Sequence, residues 1–380
     1  MNISKSSFWE NPFVPVIALL AFLLISGQRA SGTTVIAWGY DSASQIEVPA
    51  GLTNVASVAA GAYHSLALTS NGTVVAWGDN TYGQTNVPAN LTNVTAIAAG
   101  WYHDLALKSN GTVVAWGDDS FGQTNVPSSL TNVSAIAAGW LHSLALRSNG
   151  TVVAWGDNGW GQTNVPSGLA NVVGIAAGEL HSLALQNNGT VIAWGDNTYG
   201  QTNVPAGLTG VAAIACGWFN SLAVKSNGTV VVWGDNTFGQ TNVPAGLTNA
   251  EIVAAGSAHG LSVASNGTMV AWGNNYFGQT NLPPGLTQAT AIAAGGYHSL
   301  AVSTLAGLPF VFDLANLQLT PAGFQLQVDG ATGINPVVIY ASTNLTDWTP
   351  ILTNPPVAGS VQFLDPSATG FPRRFYRASQ

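Results

Sequence analysis

Six histidines, His64, His103, His142, His181, His259 and His298, fall in one column of a recurring pattern, with Asn220 in the seventh slot. Serine usually follows, as Ser65, Ser143, Ser182, Ser221 and Ser299. Histidine beside serine suggests nucleophilic catalysis, in which an imidazole within hydrogen-bond reach takes the hydroxyl proton and an acid orients the ring. A ring of imidazoles also suggests a metal. Neither survives the geometry that the sequence imposes. Side chains at i and i+1 of a strand point to opposite faces, and imidazole ligands must converge to about 2.0–2.1 Å from one ion. Copies spread around an annulus cannot converge. The column therefore reads as structural, each imidazole holding loop backbone. Asp118 and Asp119 are adjacent and do not by themselves make a catalytic carboxylate pair. With no phosphate-cradling glycine loop, Ca²⁺ loop or HExxH motif, the expectation is a protein that is not an enzyme and needs no cofactor or metal.

What positions these residues is a repeat. Trp-Gly pairs begin at Trp38, Trp77, Trp116, Trp155, Trp194, Trp233 and Trp272, each 39 residues after the last. A fixed period of this size means a solenoid, propeller or array. Within one copy, "VTAIAAG" and "HDLALK" suit short strands, "SNGT" a hairpin turn, "TVVAWG" a β-branched third strand, and the stretch around "QTNVP" a short outer fourth strand. Four short strands per copy make a propeller blade. The period starts on a third strand, "TTVIAWG", and ends on a first and second, "AIAAGGYHSLAVS". The prediction is an all-β, seven-bladed propeller over residues 33–303 in which N- and C-terminal strands share one blade, leaving no open sheet edge. A linker over 304–309 and a small β-sandwich-like domain over 310–380 follow, with strand-like runs "FQLQVD", "VVIYAS", "VQFLD" and "RRFYRAS". Trp348 reads as core of that domain, and Arg373, Arg374 and Arg377 as a small solvated basic patch.

The repeated pattern "AAGxxHSLALxxNGxVxAWGxNxxGQ" resembles the regulator of chromosome condensation repeat, a family of seven-bladed propellers, and a generic Trp-Asp propeller fits less well. The "GQTNVPA" continuation resembles the family's exported bacterial branch, which includes a proteinaceous inhibitor of β-lactamases. That likeness implies protein binding, with enzyme inhibition as one form of it.

Strand parity places the first-to-second and third-to-fourth strand loops of every blade on one face. The residues that vary between copies gather there: Tyr63, Trp101, Tyr102, Trp140, Glu179, Trp218, Phe219 and Tyr297 in the first loop, and Tyr40, Tyr82, Phe121, Trp160, Tyr199, Phe238, Tyr276 and Phe277 in the second. Aromatic clusters mark binding surfaces, although the Phe121 column could equally plug the gap between blades. Asp104, with Asp79, Asp118, Asp119, Asp157, Asp196 and Asp235, is assigned to the same loops, and the Asp after Trp-Gly also suits a turn cap. The expected partner is a protein, with carbohydrate as the alternative and a monomeric propeller as the binder.

Composition narrows this further. Charged residues make up 6% of the chain against roughly 25% in an average soluble domain. With net charge −8 and 8 Lys plus Arg, no phosphate-neutralising surface can be assembled, which argues against nucleic acid. The apolar run "FVPVIALLAFLLIS" within residues 1–32 has the length of a secretory signal, with a small-residue cleavage site before Thr33 or, alternatively, after Gly27. The expectation is an exported bacterial protein, secreted, periplasmic or at the cell surface, with no stable membrane insertion after cleavage. The single cysteine, Cys216, stands where sister copies carry Ala and reads as a buried small residue.

Overall fold

The β-branched and small-residue runs form strands wherever the period places them. In the computed structural model, residues 33–283, 286, 288–304, 311–320, 323–332, 337–342, 349–354, 358–365 and 375–379 are described. The segment read as a signal and most of the linker lie outside these residues. The repeat region forms seven three-stranded antiparallel sheets. Each has an inner strand such as Val94–Ala99, a middle strand such as His103–Lys108 and an outer strand such as Val113–Gly117. In the last sheet the outer strand is Thr33–Gly39, paired with His298–Thr304, which in turn pairs with Ala289–Ala294. The predicted shared blade is there, and it extends one residue beyond the predicted boundary at 303.

The fourth strand is not. "GQTNVP" runs instead through consecutive turns, with Asn86 N donating to Gly83 O (3.0 Å) and Val87 N to Thr85 O (3.0 Å). Gly83 takes a positive φ of 80° that breaks any extended run. Pro88, which has no N–H, could not have continued a ladder.

The core lies between blades rather than within them. Leu66, Leu105, Leu144, Leu183, Leu222, Leu261 and Leu300 on the middle strands are fully buried. Each packs in a cluster with a Trp of a Trp-Gly pair from a neighbouring blade, as Leu105 does with Trp155. Each indole Nε1–H donates to the backbone carbonyl of a glutamine, 32 residues earlier in six cases such as Trp155 to Gln123 at 2.9 Å, and at Gln279 across the closure for Trp38. The residues after 310 form two further three-stranded sheets, 311–320 with 323–332 and 358–365, and 349–354 with 337–342 and 375–379. The runs "FQLQVD", "VVIYAS" and "VQFLD" belong to them, as does "FYRAS" of the fourth, and Phe363 is buried. Trp348, Arg373 and Arg374 lie outside the described residues.

Candidate functional site

Two hydrogen-bonded layers hold the loop face, and the first is made by the histidine column. His103 Nε2 lies 2.9 Å from Ser143 Oγ of the next blade, and the same bond joins His142 to Ser182, His181 to Ser221, His259 to Ser299 and His298 to Ser65. Ser143 Oγ also donates to Gln123 O (2.9 Å), so it accepts from an imidazole N–H. That assigns the neutral Nε2–H tautomer and leaves each Nδ1 buried without a partner. Burial pulls the imidazoles far below their ordinary range, to about 3 for His103, His142 and His298 and about 4 for His181 and His259. Histidine and serine do meet, from adjacent blades. These pairs are fully buried staples, with no route for a substrate. The predicted structural role stands, but the partner is a side chain of the next blade rather than loop backbone.

Asp104 interrupts the series. It follows His103 directly, so it occupies the buried serine slot of its middle strand, fully buried, with Oδ1 2.8 Å from His64 Nε2. Desolvation raises its pKa, partly offset by His64, and its Oδ2 has no partner. Its assignment to the exposed binding loops was wrong, because position within the strand rather than nearness to the loop decides where a side chain points.

The second layer is the turn after each Trp-Gly pair. Asp118 Oδ1 accepts from Ser120 N and Oγ, its Oδ2 accepts from Gln123 Nε2 (2.8 Å), and Gln123 Oε1 accepts from Phe121 N (2.9 Å). The Asp column therefore caps its own turn, and its charge serves the frame. Tyr40 and Asn274 replace this Asp in two blades, and there Gln45 Nε2 and Gln279 Nε2 are left without partners. Tyr40 thus belongs to the Asp column. Its ring fills space against Phe277, 4.3 Å between centroids.

On this frame stand the variable side chains, at three radii. Outermost are Tyr82, Phe121, Trp160, Tyr199, Phe238, Tyr276 and Phe277, between 36% and 85% exposed. Among the described propeller residues these are all of the exposed large hydrophobic side chains, so the Phe121 column, with Tyr276 beside it, forms a rim and does not plug the gaps between blades. Next inward, Tyr102 packs on Tyr82 (4.8 Å) and Phe219 on Tyr199 (4.7 Å). Tyr63 and Tyr297 join Tyr40 in a mutual cluster. Burial raises the Tyr63, Tyr102 and Tyr297 hydroxyl pKa values, so these rings stay neutral.

At the axis the first loop residues of six blades, Trp101, Trp140, Glu179, Trp218, Ser257 and Gly296, surround the mouth of the central channel. Trp101 meets Trp140 (4.9 Å, 90°) and Trp218 (4.8 Å, 88°) edge-to-face, and Trp218 reaches Tyr297 (5.6 Å). Backbone bonds link the blades here, as from Trp101 N to Gly139 O (3.2 Å) and, closing the ring, from Gly296 N to Gly61 O (3.0 Å). Glu179 also lines the mouth but is only 9% exposed, a burial that its loop position did not reveal. Cys216 lines the channel and is not sealed in a core, and burial raises its thiol pKa. No group of three or more metal-ligating side chains occurs among the described residues.

The family model for the regulator of chromosome condensation (RCC1) repeat matches residues 55–84, 94–123, 133–162, 172–201, 211–240 and 251–279. No curated protein sequence gives a significant match. Among solved structures, Prp20p of Saccharomyces cerevisiae, described with its binding to Gsp1p and histones, is 22% identical with a TM-score of 0.62 over 71% of this chain and 91% of that one. Yeast RCC1 (Prp20) bound to Kap60 is 21% identical, TM-score 0.62, over 80% and 96%. Human WBSCR16 is 20% identical, TM-score 0.58, over 70% and 98%.

Proposed function

From the premise that this chain is an RCC1-repeat β-propeller, we propose that it is a non-catalytic binding protein, exported by its cell, that holds a protein partner against its aromatic loop face. One observation supports this reading above the others. The large hydrophobic side chains exposed on the described propeller residues all stand in the loop after the Trp-Gly pair, and beneath residues such as Phe121 the polar groups of the frame are engaged with one another. Exposed aromatic side chains are enriched at recognition surfaces, and loops on a rigid scaffold are the usual place for recognition. The binding of Gsp1p, histones and Kap60 by the yeast neighbours agrees with a propeller that engages proteins. Inhibition of a bound enzyme is the form that the likeness to the β-lactamase inhibitor favours.

The test is capture from bacterial culture medium and envelope extract on the immobilised propeller, beside a Phe121→Ala, Trp160→Ala, Phe238→Ala variant. The expected result is a discrete protein held by the parent and lost from the variant. The purified partner should then bind the parent at least tenfold more tightly, unaffected by added sugars. Equal retention by both proteins, or release by a sugar, would overturn the reading.

A further inference from the structure

We infer that the axial mouth, lined by Trp101, Trp140, Trp218 and Glu179, is a binding site for an alkylammonium cation. The inference rests on the loop face being the binding face and adds a named chemistry at its centre.

The mouth holds a cavity of about 80 Å³. At roughly 10–15 Å³ for each water-sized sphere, that takes a group of several heavy atoms. Its walls are unequal. Three of the seven first-loop slots carry indoles, while Ser257 and Gly296 line the same mouth without an aromatic ring. The fold does not require this asymmetry, because the backbone bonds between blades form beside tryptophan and glycine alike. Indole faces are the strongest aromatic partners of a cation, and aromatic cages are a general means of holding alkylated ammonium groups.

Glu179 supplies the second requirement. The residue is only 9% exposed, and its Oε2 has no hydrogen-bond partner. Among the described residues no Lys or Arg forms an ion pair with it, and the single pair found is His64 with Asp104. An isolated buried carboxylate is costly unless a cation joins it. A lone carboxylate cannot complete a divalent metal's coordination shell, so an organic cation with apolar flanks fits better than an ion.

The free site should be poised by pH. Desolvation, with Asp196 as the lesser cause, pushes the Glu179 carboxyl up to about 7. The ionisable groups that face it are Asp196, bonded within its own turn to Thr198 and Gln201, and the Tyr297 hydroxyl. A cation favours the ionised form, so affinity should rise with pH up to about 7 and level off above it.

Two cations probe the site, choline for a free quaternary amine and Nα-acetyl-lysine methylamide for the side chain of a protein partner. Calorimetry and tryptophan fluorescence on the full chain follow binding at constant ionic strength. The uncharged isostere 3,3-dimethylbutan-1-ol is the control. At least one cation should saturate and bind at least tenfold more tightly than the isostere, and Glu179→Gln should lose at least tenfold. Choline carries no titrating group, so its affinity for the parent should increase from pH 6 to pH 8, which needs no variant. The tighter of the two cations identifies the source. Isostere and cations binding alike, no binding of either cation, or an affinity that ignores both pH and Glu179→Gln would overturn the inference. None of those results touches the outer aromatic rim, whose failure is read separately in partner capture.

Discussion

The same loops carry a seam and a rim, and the two follow opposite rules. The seam is buried, repeated and closed on itself: Trp155 and Ser143 both donate to Gln123 O, and Ser143 accepts from His103. A change in one member leaves another unpartnered, as Gln45 and Gln279 show where the capping Asp is absent. The rim is exposed and varies without consequence for the hydrogen bonds of the frame beneath it. Phe121 and Trp160 differ, yet Phe121 N reaches Gln123 Oε1 at 2.9 Å and Trp160 N reaches Gln162 Oε1 at 3.0 Å. Coupling within the seam is what lets the rim change freely.

The strongest way to break the comparison is acid. Five seam histidines have folded pKa values of about 3 to 4, against about 6.5 when unfolded. A depressed folded pKa means stability is fully present above the unfolded value and is lost as pH falls toward the folded one. Each histidine contributes on the order of 1.4 kcal/mol per pH unit in that window, and they act together. Denaturant titrations should show cooperative destabilisation of several kcal/mol per pH unit below about pH 6. His142→Asn, which borrows the residue already present at Asn220, should make the slope shallower. A flat profile between pH 7 and 5 would mean that the imidazoles are not buried neutral staples.

Packing gives the next largest effect. A Cβ on Gly139 would collide with the His142 ring of its own blade and the Gly178 carbonyl of the next. Both belong to the seam and neither can yield alone. Gly139→Ala should lose stability at the upper end of roughly 1–3 kcal/mol, read from the unfolding midpoint in urea. An unchanged midpoint would show that the ring is looser than its hydrogen bonds imply.

Much of this was legible in the sequence, and what was missed has a physical cause. The 39-residue period fixed the blades and the shared closing sheet, because strand order within a repeat leaves one way to close the ring. The indole column was readable as packing. The His–Ser staple was not, since a bond from one blade to the next spans 40 residues and inspection of neighbours along the strand separates the two side chains. One more than the period is the signal that could have found it. Columns also say which face a residue shares but not its distance from the axis, so Glu179 and Trp160 looked alike. The fourth strand failed because β-branched Thr and Val outweighed Gly83 and Pro88 in the reading.

Asp104 sharpens the comparison as a seam residue that breaks the seam's rule. Asp104→Ser would restore the His–Ser bond and let the hydroxyl donate to Gln84 O, which now accepts from Trp116 alone. It also removes a buried Oδ2 with no partner. A gain of roughly 1–2 kcal/mol near pH 7 is expected. The sign with pH is the reverse of the histidines'. A carboxyl whose folded pKa is raised binds its proton more tightly in the folded state, so its share of stability falls as pH rises above about 3.9. The variant should lose that component, and its gain should shrink in acid. Destabilisation by Asp104→Ser would show that the His64 contact outweighs the desolvation.

The smallest effect tests the other half of the comparison. Trp160 is 56% exposed, and the frame bond beneath it comes from its backbone N–H, which alanine keeps. Trp160→Ala should therefore change stability by no more than about 0.5 kcal/mol, measured in urea at pH 7. No ring packs on Trp160 among the aromatic contacts of the described residues, whereas Tyr82 rests on Tyr102 and Tyr199 on Phe219. Tyr82→Ala, which removes such a contact, should lose more, by about 0.5–1.5 kcal/mol. The order of the two variants matters more than either value. If Trp160→Ala were the costlier one, the indole would be part of the frame, and its exposure would no longer argue for a partner.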